Sequence, residues 1–412
     1  MSVVLFSGGR GNRSLLESIA SDNQGKFPKL KVIVNGLDDG ASTGAIREIF
    51  DNTMHGISDF LKVGIAMSPD SKLKAVLERR IPVLYEIEDQ LKFSKNLHDY
   101  FFLSNDFYIF DEIKLEDSLK KELKKHILNF VKHTYHQNKV LVNLSDFKIG
   151  NIIFASMYIN ANKSFNEALL SFLKFCRVDN EIFEVLQSSE SNSYLVGVLK
   201  SGQLLPNEAA VVLSRTSDII EDTFQISKPL SIENIRDICS KELEEKIIYL
   251  KDNQHIPSTT IEVLSAIKKS NSIIYGAGTP YSSLLPSLEL KGVSDAIKSS
   301  SSKKILVVNL SKETSNTLFV TDILDSLMKY LKKSHGSESE FNPKDYITHI
   351  VVPDKMNSNN DFEDSIKLNE LELNKRYGWV DVIQSDIVNH KNQSQHDGFK
   401  LKKCLLKLIS ND

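Results

Sequence analysis

Cysteine is scarce: three in 412 residues, Cys176, Cys239 and Cys404, widely spaced and odd in number. That count excludes a disulfide framework and a cysteine-rich zinc cluster, and it suits the reduced thiols of a cytoplasmic protein. Net charge is nearly absent as well, −3 from 51 basic and 54 acidic residues. Bulk electrostatics therefore calls for neither nucleic acid nor an anionic membrane as partner. Long apolar runs are missing. The opening MSVVLFSGGRGNRSLL has too short a run before its glycine turn for a signal peptide or a membrane span, and no later run is long enough. The expectation is a soluble, cytoplasmic protein. Two catalytic signatures are lacking too: no GxGxxG, and no GK[ST] after a glycine loop. His133 and His136 are spaced for one helix face but have no further ligands in view, so they read as a solvated face rather than a metal site.

What remains is an ordinary globular composition, 41% hydrophobic and 25% charged. Short apolar runs recur, and each ends in Asn, Gly or Pro. They are Val3–Phe6, KVIVNGL (31–37), KVLVNL (139–144), SIIYGAG (272–278), KILVVNL (304–310) and ITHIVVP (347–353). Alternating with helical periodicity, they predict an α/β fold: a Rossmann-like, doubly wound, mostly parallel sheet. Residues 72–138 are helical in pattern and densely charged, and read as an added helical layer. YLVGVLKSGQLLPNEAAVVL (194–213) reads as two strands about a turn, a small antiparallel excursion. The expected organisation is a nucleotide-binding α/β domain over 1–335, with its helical insertion at about 72–138. A C-terminal extension over 336–412 then completes the sheet and packs on the core. The tracts 332–345 and 356–364 read as surface loops, and the serine-rich Lys298–Lys304 segment as a surface turn.

Three loops carry candidate chemistry. VIVNGLDDGASTGAIRE (32–48) runs from an apolar strand into Asp38, Asp39, Gly40, Ser42, Thr43 and Gly44, and then into a helix start. Glycines permit close backbone approach, and helix-entry amides attract an anion. Two carboxylates would repel that anion unless a cation lay between them. Mg²⁺ takes one or two carboxylates plus phosphate oxygens, and Asp39 with Asp59 (in GISDFLKVGIAM) is a suitable pair. The plain alternative is helix capping, for which one such residue would be enough. The loop Ser7-Gly8-Gly9-Arg10-Gly11-Asn12 lies between strand and helix and reads equally as a phosphate cradle or a steric turn. The same two readings hold for Tyr275-Gly276-Ala277-Gly278-Thr279-Pro280-Tyr281-Ser282-Ser283, where Tyr281 and Ser282 would grip a base, ribose or acceptor. Gly150-Asn151 reads as the end of a strand, from which Asn151 would reach a ligand.

Taken in order, SGGRGNRSLL, KVIVNGLDDGASTGAIRE, GISDFLKVGIAM, FKIGNIIFAS, IIYGAGTPYSSLLPSLELKGVSDAI and ILVVNLSKETSNTLFVTDIL resemble the 2-phospho-L-lactate transferase (CofD-like) superfamily, which also holds the bacterial gluconeogenesis factors. The resemblance implies a Rossmann-like fold binding a nucleoside diphosphate-linked small molecule at the carboxyl edge of the sheet. For the transferase branch it implies Mg²⁺-dependent transfer of a phospho-hydroxyacid-type group from a GDP-linked donor to an alcohol, releasing GMP. For the gluconeogenesis-factor branch it implies a non-catalytic, regulatory UDP-sugar binder in carbon metabolism or envelope synthesis. By motif, Asp39 and Asp59 match the metal-associated acids, Gly8, Gly9 and Gly11 the first glycine loop, and Gly276 and Gly278 the YGxG turn. Asn151 matches the GN motif and Asn309 the residue closing the later strand; Asp38 is the candidate for orienting the acceptor. Three departures stand out. Arg10 replaces the threonine of GGTG, the histidine of an HSFGN motif is absent at 147–151, and DDGASTGAIRE lies nearer the regulator branch. An NAD(P)-dependent oxidoreductase ranks last, because the first glycine loop is wrong for it and the acid after the second strand comes as a pair. Segments outside the family motifs are candidate homodimer surfaces.

Overall fold

The computed structural model describes residues 1–21, 27–81, 113–137, 144, 147–214, 218–311, 318–336, 340–354 and 365–410. The chain forms two compact units, one of Met1–Asp38 with Asp179–Asp412, the other of Asp39–Val178.

The first unit is built on seven strands: β1 (Ser2–Ser7), β2 (Lys29–Val34), β3 (Phe183–Gln187), β7 (Ser272–Tyr275), β8 (Lys303–Val307), β9 (His349–Pro353) and β10 (Asp381–Ser385). All pair in parallel, in the order β10-β9-β8-β7-β1-β2-β3. Continuous apolar runs rather than alternation make the central strands, because helices cover both faces of a parallel sheet. Val3, Val4, Leu5 and Phe6 are wholly buried, as are Ile273, Ile274 and Tyr275 beside them. Five of the six expected runs are strands. The sixth, 139–144, lies outside the described residues except for Leu144. The edge strands β3 and β10 have no counterpart among the expected runs.

From β1 the sheet grows one way through β2 and β3, and the other way through β7 to β10. This is the Rossmann-type reversal, and ligands bind such sheets outside the carboxyl ends at the reversal point. Register puts Phe6 level with both Ile33 and Tyr275, so the loops after β1, β2 and β7 leave at one height.

The antiparallel excursion is real but differently built. Strands β4 (Tyr194–Leu199), β5 (Leu204–Leu205) and β6 (Ile220–Ile226) form a separate sheet ordered β5-β4-β6. The expected second strand stops after two residues. Asn207 then caps a helix, Glu208–Leu213, by accepting from the Ala210 amide, because an Asn-Glu-Ala-Ala start favours helix over strand. Near the carboxyl end, the hairpin β11 (Val388–Asn389) and β12 (Asn392–His396) leads into helix Gly398–Ser410, which packs along helix Arg13–Ser21.

The second unit is helical: Ala41–Ile49, Ser58–Met67, Ser71–Glu78, Asp117–His136, Ile149–Asn160 and Phe165–Phe175. Here Gly150-Asn151 corrects the expectation. It lies in the first turn of a helix, not at a strand end. IIFASMYI is apolar on every side, and such a run is a fully buried helix when it is twelve residues long. Among the described residues no helix is long and apolar enough to cross a membrane.

Candidate functional site

The loops after β1 and β7 are adjacent because their strands pair, and they meet at their glycines. A Cβ at Gly8 would overlap Ser283, one at Gly11 the Ala277 carbonyl, one at Gly276 the Asn12 amide, and one at Gly278 the Gly8 carbonyl. Gly9 adopts φ +60°, a conformation open to glycine at little cost. The steric reading of both loops is therefore part of their role: each glycine makes room for the other loop. Asn12, nearly fully buried, donates its Nδ2–H to Ser7 Oγ at 3.1 Å and sits just before helix Arg13–Ser21. Arg10 is exposed at the loop tip.

Asn309, two residues beyond β8, uses both ends of its amide on one residue. The Gly278 N–H donates to Asn309 Oδ1 (2.9 Å), and Asn309 Nδ2–H donates to the Gly278 carbonyl (2.8 Å). It acts on the loop rather than standing apart from it. Pro280–Leu284 is a turn of π-helix, a geometry frequent at functional sites. Within it the Tyr281 hydroxyl meets Ser326 Oγ at 3.1 Å, and Ser282 is buried. The sequence alone did not single out Asn35, which bonds to Ser283 of the candidate loop. Asn35 donates Nδ2–H to the Ser283 carbonyl (3.4 Å) and accepts from the Leu37 amide (3.1 Å), tying the loop after β2 to the π-turn. The available signal was an Asn that closes the β2 run as Asn309 follows β8. Asp38 is half-buried at the end of this segment.

In the second unit Asp39 lies just before the N-cap Gly40, half-buried and outside any helix, and the other predicted residues occupy first turns of helices. Ser42, Thr43 and Gly44 open Ala41–Ile49, Asp59 opens Ser58–Met67, and Asn151 opens Ile149–Asn160. The N-cap residues Gly40, Ile57 and Lys148 make no side-chain cap hydrogen bond. Gly44 leaves room for the Asp39 carbonyl, which a Cβ would meet at 2.6 Å. Asn151 Nδ2 reaches Ser42 Oγ at 3.5 Å. Asp59 is buried and paired with Lys62, Nζ to Oδ1 2.7 Å. Arg47, in the same helix as Ser42, is fully buried; its charge, together with burial, lowers the His55 pKa to about 4. Lys62 and Arg47 were not singled out from sequence. Among the described residues no group of three or more His, Cys, Asp or Glu side chains converges as a metal cage.

A family model described as 2-phospho-L-lactate transferase CofD matches residues 3–388. Among curated proteins, the chain is 21% identical to a gluconeogenesis factor of Halalkalibacterium halodurans over 332 residues, 80% of this chain and 73% of that one. It is 22% identical to the gluconeogenesis factor of Bacillus subtilis, over 65% of this chain and 73% of that one. A Thermotoga maritima protein, named provisionally as a gluconeogenesis factor, is 28% identical over 45% of this chain. That match spans 49% of the Thermotoga protein's own length. A crystal structure of a UPF0052 family member from Bacillus halodurans superposes with a TM-score of 0.62 at 18% identity, covering 98% of each chain; it shows the same fold.

Proposed function

The chain belongs to the 2-phospho-L-lactate transferase CofD family, and from that premise we propose that it binds a nucleoside diphosphate-linked small molecule on the paired glycine loops of its first unit. The carrying observation is the meeting of Gly8–Gly11 with Gly276–Gly278 at the reversal point of the sheet, packed so closely that a Cβ on Gly8, Gly11, Gly276 or Gly278 would overlap a neighbour. Backbone amides at the start of helix Arg13–Ser21 suit phosphate oxygens, which take amide donors and the positive end of a helix. The curated relatives are named gluconeogenesis factors, which favours a role in carbon metabolism; for that branch the family resemblance implies a UDP-sugar as ligand.

The family's own description favours a second reading, transfer of a phospho-hydroxyacid-type group from a GDP-linked donor to an alcohol with release of GMP. Such transfer relies on neutralising phosphate charge and aligning the acceptor, with little covalent help from the protein. Mg²⁺ would supply the neutralising charge. Asp39 and Asp59 are the oxygen donors assigned to it, a number and type that suit a hard cation keeping several waters. Asp59 would share its carboxylate with the Lys62 ammonium.

A thermal-shift panel of GDP, GMP, UDP, UDP-sugars and NAD, each with and without Mg²⁺, separates the readings. A ligand at 100 times its Kd stabilises the native state by about 2.7 kcal/mol. The expected result is stabilisation by a UDP-sugar. Stabilisation by GDP that requires Mg²⁺ and is lost in Asp39→Ala selects the transferase. Absence of a shift with every diphosphate overturns the proposal.

A further inference from the structure

We propose that His396 is a positioning residue for the Gly276–Gly278 loop, acting from the carboxyl-terminal hairpin through Val308 and Asn309. His396 ends β12 and is 5% exposed. Its Nε2–H donates to the Val308 carbonyl at 3.1 Å. On its other side the Val308 peptide is fixed by its own amide, which donates to the Val351 carbonyl at 3.2 Å. Asn309 follows directly and grips Gly278 by both backbone groups. Gly278 in turn lies against the Gly8 carbonyl. An unbroken line of contacts therefore runs from the imidazole to the place where the two glycine loops touch.

The need for a donor at this position is physical. β8 ends at Val307, so the Val308 carbonyl faces a buried region beyond the parallel ladder, and a buried carbonyl requires a partner. A neutral imidazole provides one in the tautomer with the proton on Nε2. Burial, pushing the His396 pKa down to about 4, keeps the ring uncharged in that role.

Two residues later the same segment braces the other loop. Gly398 opens helix Gly398–Ser410 at a point where a Cβ would overlap the Ser14 carbonyl. Ser14 lies in the first turn of the helix that follows Gly11 and Asn12. Residues 396 and 398 thus hold, from one short stretch, the segments attached to both loops. The spacing of those loops is what the contact between Gly8 and Gly278 depends on.

The test uses the full chain without ligand. Amide hydrogen exchange is followed over residues 272–284 in wild type, His396→Leu, His396→Gln and Leu405→Ala. The last substitution empties a buried position of the same helix away from the loops. His396→Leu is expected to speed exchange of the Gly278 amide about tenfold, while His396→Gln, which keeps an N–H donor, restores most of the protection. Leu405→Ala is expected to lower Tm without changing that amide. Equal exchange in His396→Leu and Leu405→Ala would overturn the proposal, as would an unchanged loop in His396→Leu. Should His396→Leu not fold, His396→Asn, whose shorter amide falls short of Val308, takes its place against His396→Gln. Any weakening of diphosphate affinity in these variants rests on the function proposed above. If wild type binds no diphosphate, that function fails, and the exchange comparison still decides the role of His396.

Discussion

Gly8 shows how little tolerance the candidate site has for a single atom. Its Cβ position is already taken by Ser283, whose Oγ meets Thr279 Oγ1 at 3.1 Å and whose carbonyl accepts from Asn35 and Ser287. An added methyl cannot rotate away, and these bonds resist a shift of the π-turn. Gly8→Ala is expected to destabilise the protein by about 1–3 kcal/mol, the range for forcing one extra carbon into a packed interior. Urea titration would show this as a lower midpoint at unchanged slope. A midpoint equal to wild type would mean that the two loops part more readily than their contact implies. Gly9 makes a different demand, since its φ of +60° concerns the backbone itself rather than a neighbour.

At the scale of elements, the helix Ser58–Met67 brings a buried carboxylate and its cation together one turn apart. Asp59 and Lys62 are i and i+3, with side chains 6% and 24% exposed. Removing one partner of a pair so sheltered costs more than the pair contributes, because the remaining charge stays buried. Lys62→Met is expected to destabilise by about 2–4 kcal/mol, and to increase any stabilisation that Mg²⁺ provides, since the metal would no longer share Asp59 with an ammonium. A thermal melt with and without Mg²⁺ reads both effects. A variant with wild-type Tm would remove the burial argument, and an unchanged Mg²⁺ response would count against Asp59 as a metal ligand.

Elements also differ in how plainly the sequence announces them. β1, β2, β7, β8 and β9 are apolar runs closed by a polar or glycine residue, and strands buried on both faces must look like that. β10 is an edge strand with only partial burial, DVIQS, so nothing apolar marks it. β3, FEVLQ, carries a glutamate paired outward with Lys31 and reads no differently from a helix fragment. Gly150-Asn151 was misplaced because an apolar run of that length fits a buried helix as well as a strand. The glycine loops could be read from their position between strand and helix. Their mutual packing could not, because it depends on β1 pairing with β7 across most of the chain. The π-turn at Pro280–Leu284 and the reach of His396 to Val308 have no local signature at all.

Among the described residues, each compact unit carries one histidine whose imidazole is deeply buried and neutral: His55 in the second and His396 in the first, both with pKa lowered to about 4. Burial is the main cause in each, with the Arg47 charge adding to it at His55. An unfolded histidine titrates near 6.5, so between about pH 6.5 and 4 the unfolded chain takes up protons that the folded units refuse. The stability these rings contribute is complete above about 6.5 and is lost as pH falls toward 4. At pH 5 the loss is on the order of 2 kcal/mol for each group. Scanning calorimetry from pH 7 to 5 should show a falling Tm, with a shallower fall in His55→Gln. A flat profile would mean that neither ring is held neutral by the fold.

The strand order has a consequence for the making of the protein. β1 lies inside the sheet, and its two neighbours are made at very different times. β2 emerges almost at once, while β7 is about 265 residues behind Ser7. At roughly 5–20 residues per second, a ribosome needs on the order of ten to fifty seconds to deliver it. For that time the apolar stretch Val3–Phe6 has one side paired and the other waiting, a template for any passing strand. The nascent chain is therefore most vulnerable to aggregation well before its last residues are made, and a chaperone that shields early strands would matter more to its yield than one that assists the finished chain.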